Sequence, residues 1–89
     1  MVEITVAAVE SGRFTVAVRE DGSETQHDVT VSEENLRRLG AGYESPKAFV
    51  HACFEFLLDR EPKESILGSF DVSVIGRYFP DFEPTIRRR

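Results

Sequence analysis

Residues 46–60 read Pro-Lys-Ala-Phe-Val-His-Ala-Cys-Phe-Glu-Phe-Leu-Leu-Asp-Arg. Ser45 stands just before them, a hydroxyl able to accept from free amides, and Pro46 is pre-set for the first helical position. Lys47, His51, Glu55 and Asp59 recur every fourth residue and so form one narrow polar stripe on a helix. Between them come Ala48, Phe49, Val50, Ala52, Cys53, Phe54, Phe56, Leu57 and Leu58. A surface helix carries a single apolar face, so a helix this apolar is covered on most of its sides. The run is interrupted by charge and falls short of the roughly 20 apolar residues that span a bilayer. It reads as the central helix of a small soluble core.

The segments before it supply a sheet. Residues 2–9 alternate, with Val2, Ile4, Val6 and Ala8 on one side, which is the pattern of a half-buried strand. After a turn at Glu10-Ser11-Gly12, residues 13–20 alternate again, with Phe14, Val16 and Val18 inward and Arg13, Thr15, Ala17 and Arg19 outward. Asp21-Gly22 is a strong hairpin signal, because a type I′ turn needs positive φ at both central positions. A two-residue loop fixes the register of the next strand, 23–31. It sets Arg19 opposite Glu24, Val18 opposite Thr25, Val16 opposite His27 and Phe14 opposite Val29. Opposite charges then meet on the wet face while Phe14 and Val29 share the core face.

A short helix follows over 33–39. Ser32 caps it, Glu33 and Glu34 lie near its positive end, and Arg37 and Arg38 near its negative end. Val31 and Leu36 take hydrophobic-staple positions and Gly40 is a suitable stop. Beyond the central helix, Pro62 ends or restarts the helical path, and 62–67 reads as one further turn before Gly68. Residues 69–83 are ambiguous: Val72-Ser73-Val74-Ile75 has strand composition, yet Asp71 can cap a helix whose face is Val72, Ile75 and Phe79. The reading favours a short helix over 72–79, stopped by Pro80, and a flexible, solvated tail over 84–89.

The whole chain of 89 residues is one domain, with 40% apolar and 30% charged side chains, and the fold class is α+β: a three-stranded antiparallel meander followed by a helical half packed on one face. Seven Phe and no Trp make Phe the main bulky packing residue. One cysteine and no visible secretory signal point to a reduced, cytoplasmic setting. Net charge is −5; without Arg87, Arg88 and Arg89 the body holds 8 basic and 16 acidic residues, a balance of −8. An acidic body repels a phosphate backbone, so nucleic acid is an unfavoured partner.

Several residue groups invite a chemical reading. His51, Glu55 and Asp59 lie one turn apart and could converge on a divalent ion, but the sequence adds no further ligands at metal-site spacing, and a solvated helix edge needs the same residues. Cys53 would need an electropositive, partly exposed setting to be a nucleophile, whereas Ala52 and Phe54 flank it with apolar surface. His27 falls on the inner face of the third strand near its open end, the place of a half-covered edge histidine. Tyr78-Phe79-Pro80-Asp81-Phe82 and the arginines 87–89 suit either docking onto the chain's own core, a protein partner, or base stacking with phosphate contacts. No phosphate-binding Gly loop, nucleophile elbow or paired carboxylates in a cleft are present.

Within residues 49–83, a little over a third of the chain, Phe-Leu-Leu-Asp-Arg-Glu-Pro-Lys-Glu-Ser-Ile-Leu and Phe-Asp-Val-Ser-Val-Ile-Gly-Arg-Tyr-Phe-Pro-Asp-Phe-Glu resemble a family of small uncharacterised bacterial proteins. The resemblance implies a small cytoplasmic bacterial protein and brings no activity or catalytic residue with it. The order of three strands and then a helix also resembles small antitoxins, without their Gly-rich sheet motifs or a basic DNA-binding segment. The expectation is a non-enzymatic interaction or accessory module with no cofactor, no metal and no membrane association. Its partner is an unknown protein or another copy of itself, met through Tyr78, Phe79, Phe82, Arg87, Arg88 and Arg89. The alternative is a nucleic-acid-associated or antitoxin-like regulator acting through the arginine tail.

Overall fold

The computed structural model describes residues 1–87. Strands β1 (Val2–Glu10), β2 (Arg13–Glu20) and β3 (Ser23–Thr30) form the expected antiparallel meander. Asp21 and Gly22 both take positive φ, 54° and 80°, and the β2–β3 register is the one this turn dictates: Arg19 faces Glu24 and Phe14 faces Val29. Arg19 reaches both neighbours on the wet face, with Glu24 at 3.0 Å and Glu3 at 3.4 Å. The β1–β2 connection is less regular. Its register shifts between Ala8 and Glu10, and Gly12 turns the chain at φ 78°. A Cβ there would lie 2.9 Å from the Val31 carbonyl oxygen, so Gly12 is required by both conformation and space.

The caps are those the sequence specifies. Ser32 Oγ accepts from the Asn35 amide at 3.0 Å to open α1 (Glu33–Gly40), and Ser45 Oγ accepts from the Ala48 amide at 3.1 Å to open α2 (Pro46–Leu58). Gly40 is the last residue of α1 rather than a left-handed stop. A Cβ at Gly40 would meet Leu36 Cδ1 at 3.0 Å and the Phe49 ring at 3.1 Å, so the glycine lets α1 approach α2. The central helix ends at Leu58, two residues before the expected limit. Arg60 closes it: its amide bonds the Leu57 carbonyl, its Nη1 donates to the Phe56 carbonyl, and its guanidinium lies 3.6 Å over the Phe56 ring.

The helical half departs from expectation in three places. The one turn expected over 62–67 is present, but as a 3₁₀ turn confined to Lys63–Ser65. Ser69–Asp71 forms a fourth strand, β4, pairing parallel with β3 so that the sheet order is β1-β2-β3-β4. The strand was not expected because it spans only three residues, Phe70 between the weak strand formers Ser69 and Asp71; backbone bonds from Asp28 N to Gly68 O and from Val72 N to Thr30 O hold it in place. The expected helix over 72–79 is present immediately afterwards as α3 (Ser73–Tyr78), opened by Asp71 Oδ2 accepting from the Ser73 amide at 3.0 Å.

The third departure corrects the tail. Residues 84–86 belong to α4 (Phe82–Ile86), whose Phe82 and Ile86 are buried. The Tyr43 hydroxyl donates to the Ile86 carbonyl at 2.6 Å, Arg38 makes two bonds to Glu83 at 2.8 and 3.1 Å, and Arg60 pairs with Asp81. Of the expected mobile segment, Pro84, Thr85 and Arg87 are exposed while Ile86 is buried; Arg88 and Arg89 lie outside the described residues.

Between sheet and helices sits a core built on phenylalanine. Phe49 and Phe54 are fully buried, and the Phe56 ring meets Phe82 at 5.1 Å and Phe79 at 5.9 Å in edge-to-face contacts. The opposite face of the sheet carries Thr5, Ala7, Gln26 and Asp28 into solvent.

Candidate interaction groove

α2, the 66–68 segment, β4 and α3 leave an open groove of about 300 Å³ between them. Its apolar walls are Leu57, Leu67, Phe70, Val74, Tyr78 and Phe79, with Glu61 at the rim. Two of its walls are held by specific polar contacts. His27 Nδ1 donates to the Leu67 carbonyl at 2.8 Å, and Nε2 shares a hydrogen bond of 2.9 Å with Thr25 Oγ1. The ring also packs 5.4 Å from Phe54. His27 is thus fully buried, not half-covered, because the 66–68 segment and β4 close over the edge that the sequence leaves open.

The second wall turns on Asp71. Burial alone would raise its carboxyl pKa, but hydrogen bonds from Thr30 Oγ1 at 2.7 Å and from Ser73 outweigh burial and hold it below the ordinary value. One carboxylate therefore ties the β3–β4 pair to the start of α3. Just before the groove-lining 65–67 segment stands Lys63, a buried lysine with no marker in the sequence; its Nζ reaches the adjacent Glu64 at 2.7 Å. Its apolar stem is covered while the amino group finds a carboxylate.

The expected partner-binding residues separate in space. Tyr78 stands 67% exposed on the groove wall, and Phe79 is half-buried against Phe56. Phe82 is 1% exposed and belongs to the core, so it presents nothing to a partner. Arg87 is exposed, and Arg88 and Arg89, also expected to meet a partner, lie outside the described residues. Leu67, Phe70 and Val74 complete the groove; no periodic signal marked them, because the groove exists only where the end of α2, the 65–70 segment and α3 fold against one another.

The other candidates find ordinary places. His51 Nδ1 lies 3.8 Å from Glu55, and among the described residues no three His, Cys, Asp or Glu side chains are grouped to hold a metal ion. Cys53 is buried, and burial pushes its thiol pKa well up, which keeps it protonated. Arg13, Arg19, Arg38 and Arg60 are all engaged with carboxylates of the chain itself. No helix among the described residues is long and apolar enough to cross a membrane.

Fold and surface together define a class: a small α+β domain with a four-stranded sheet, helices on one face, and an apolar groove at the β4 end. Comparison with protein-family models, with curated proteins and with solved structures finds no significant match to this chain.

Proposed function

We propose that the protein is a non-enzymatic interaction module whose groove receives an apolar side chain from a short segment of a protein partner. The observation that carries this reading is the exposure of Leu67 and Tyr78, 49% and 67%, beside an apolar groove. A volume of about 300 Å³ lies at the small end of ligand sites, enough for one or two side chains. Aromatic walls give large contact area at low entropy cost. Glu61 at the rim and the acidic body favour a partner segment with basic residues flanking its apolar anchor.

The test is selection of displayed peptides on the wild-type chain with counter-selection on Val74→Asp, which places a charge in the groove wall. The expected outcome is enrichment of a large apolar residue flanked by Lys or Arg, with amide shifts on binding at Leu67, Phe70 and Tyr78. Peptides that bind both forms equally, or that shift amides elsewhere, would overturn the reading.

A further inference from the structure

We infer that the outer edge of β1 and the polar stripe of α2 form a dimerisation surface that takes a second copy of this chain about a two-fold axis. This surface lies at the opposite end of the sheet from the groove.

The edge itself is available. In the order β1-β2-β3-β4, β1 has a neighbour on one side only among the described residues. Its nine residues, Val-Glu-Ile-Thr-Val-Ala-Ala-Val-Glu, contain no Pro, Gly or Lys, the residues with which edge strands are usually blunted. Val2 and Val9 are 39% and 55% exposed, and Ile4 and Val6 are only half-buried although they sit on the core face. The two charges of the strand are engaged within the sheet, Glu3 with Arg19 and Glu10 with Arg13.

Geometry then selects an antiparallel copy. A two-fold axis perpendicular to the sheet pairs β1 with its copy and keeps the helices of both on the same face. Centred on Val6, this pairing sets Ile4 opposite Ala8, Thr5 opposite Ala7 and Glu3 opposite Val9 of the second copy. Core-face residues meet core-face residues, and no glutamate faces a glutamate.

The helix stripe identifies the occupant. α2 flanks β1, and a notch of about 500 Å³ between them is lined by Val2, Ile4, His51, Glu55, Leu58 and Asp59. The stripe runs Lys47, His51, Glu55, Asp59 along α2 and its side chains face outward. Read against itself in reverse, it places Lys47 opposite Asp59 and the His51 ring opposite Glu55. Read in the same direction, like meets like. The axis that makes β1 antiparallel to its copy also makes α2 antiparallel to its copy, so one operation satisfies both elements. Val2 and Ile4, in the first half of the strand, share the notch with His51, Glu55 and Asp59, which sets the strand edge and the stripe side by side. An unrelated apolar strand would pair with the edge but leave this charge order unmatched.

Sedimentation equilibrium of the full chain, from about 10 µM to about 1 mM at roughly 0.15 M salt, tests the inference. A monomer of 10.1 kDa should pass to twice that mass as concentration rises. Lys47→Asp and Asp59→Lys should each weaken the dimer roughly tenfold, because symmetry counts each altered pair twice, and the double variant should restore it. Both side chains are exposed, so the variants should melt with the parent. A monomer at every concentration overturns the inference, and so does a dimer indifferent to both single reversals. Val74→Asp should leave the dimer unchanged, so failure of the groove reading and failure of this one are told apart.

Discussion

In the meander, residues 2–30, each strand is positioned by backbone pairing with the next, and side chains alternate between core and water. In the C-terminal arm, residues 79–87, almost nothing is held by regular structure beyond one short helix, and long-range side-chain contacts do the positioning. Tyr43 reaches 43 residues along the chain to the Ile86 carbonyl, Arg38 reaches 45 to Glu83, and Arg60 reaches 21 to Asp81. Both regions end with fully buried side chains, Val18 and Val29 in one, Phe82 and Ile86 in the other. Local rules are therefore enough to set the register of one region, whereas the other is positioned by contacts with distant parts of the chain, and both are buried by joining one core with α2.

The largest expected effect asks whether the arm is as much part of the core as the central helix. Phe54 and Phe82 are both buried, so Phe54→Ala and Phe82→Ala should each cost about 3–5 kcal/mol, out of a total near 5–15 kcal/mol for such a domain. Urea melts of the two variants measure this. A Phe82 variant that melts with the parent would return the arm to the status of a loosely attached tail.

The same contrast explains what the sequence disclosed. Asp21-Gly22 and the period of two are local signals, and they carried the β2–β3 register to the residue. Ser32, Ser45-Pro46 and the four-residue stripe likewise located both caps and the central helix. β4 was not legible, since Ser69-Phe70-Asp71 becomes a strand only because the β3 edge offers it partners. The tail was misread for a related reason: Pro84 and three arginines resemble a chain end, while the burial of Ile86 depends on Tyr43 and on the helices beneath. Of the groove, Tyr78 and Phe79 were marked by their aromatic run, but Phe82 in the same run turns inward. Periodicity over five residues could not separate them.

A smaller effect sharpens the comparison on the side of the meander. Gly12→Ala meets both a positive φ and the Val31 carbonyl, whereas at Gly22 there is nothing within 4 Å and only the φ of 80° opposes a side chain. Gly22→Ala should cost about 1–2 kcal/mol and Gly12→Ala more than that, with thermal melts giving the order. Equal losses would mean that the β1–β2 turn relaxes freely and that the close contact with Val31 is unimportant. On the side of the arm, Tyr43→Phe removes one hydrogen bond to a partly buried carbonyl and should cost about 1 kcal/mol. Amide exchange would then quicken across 82–86 and leave the meander as it was; a uniform change would contradict the separate fastening of the arm.

The smallest expected effect lies where the two regions are joined, at Asp71. Its carboxylate accepts from Thr30 in the meander and from Ser73 at the head of the helical segment that leads to the arm. Those bonds hold its folded pKa below the ordinary value of 3.8 in spite of burial. A depressed folded pKa means that the ionised carboxylate stabilises the fold fully above the unfolded value. That contribution is lost as pH falls through the folded one. Asp71→Asn keeps the shape but cannot ionise, so it lacks this pH-dependent term. The stability gap between wild type and Asp71→Asn should be widest at neutral pH and close as pH falls below the ordinary value of 3.8 and through the lower folded one. Chemical denaturation at several pH values reads it directly, and Glu83→Gln supplies the comparison. Glu83 is held low chiefly by Arg38 on an exposed surface, so its gap should shrink when salt is raised to about 1 M. The Asp71 gap rests on hydrogen bonds from Thr30 and Ser73 and should survive the salt. If both gaps vanished together in salt, the joint at Asp71 would be a surface electrostatic effect, not a fixed hydrogen-bonded corner.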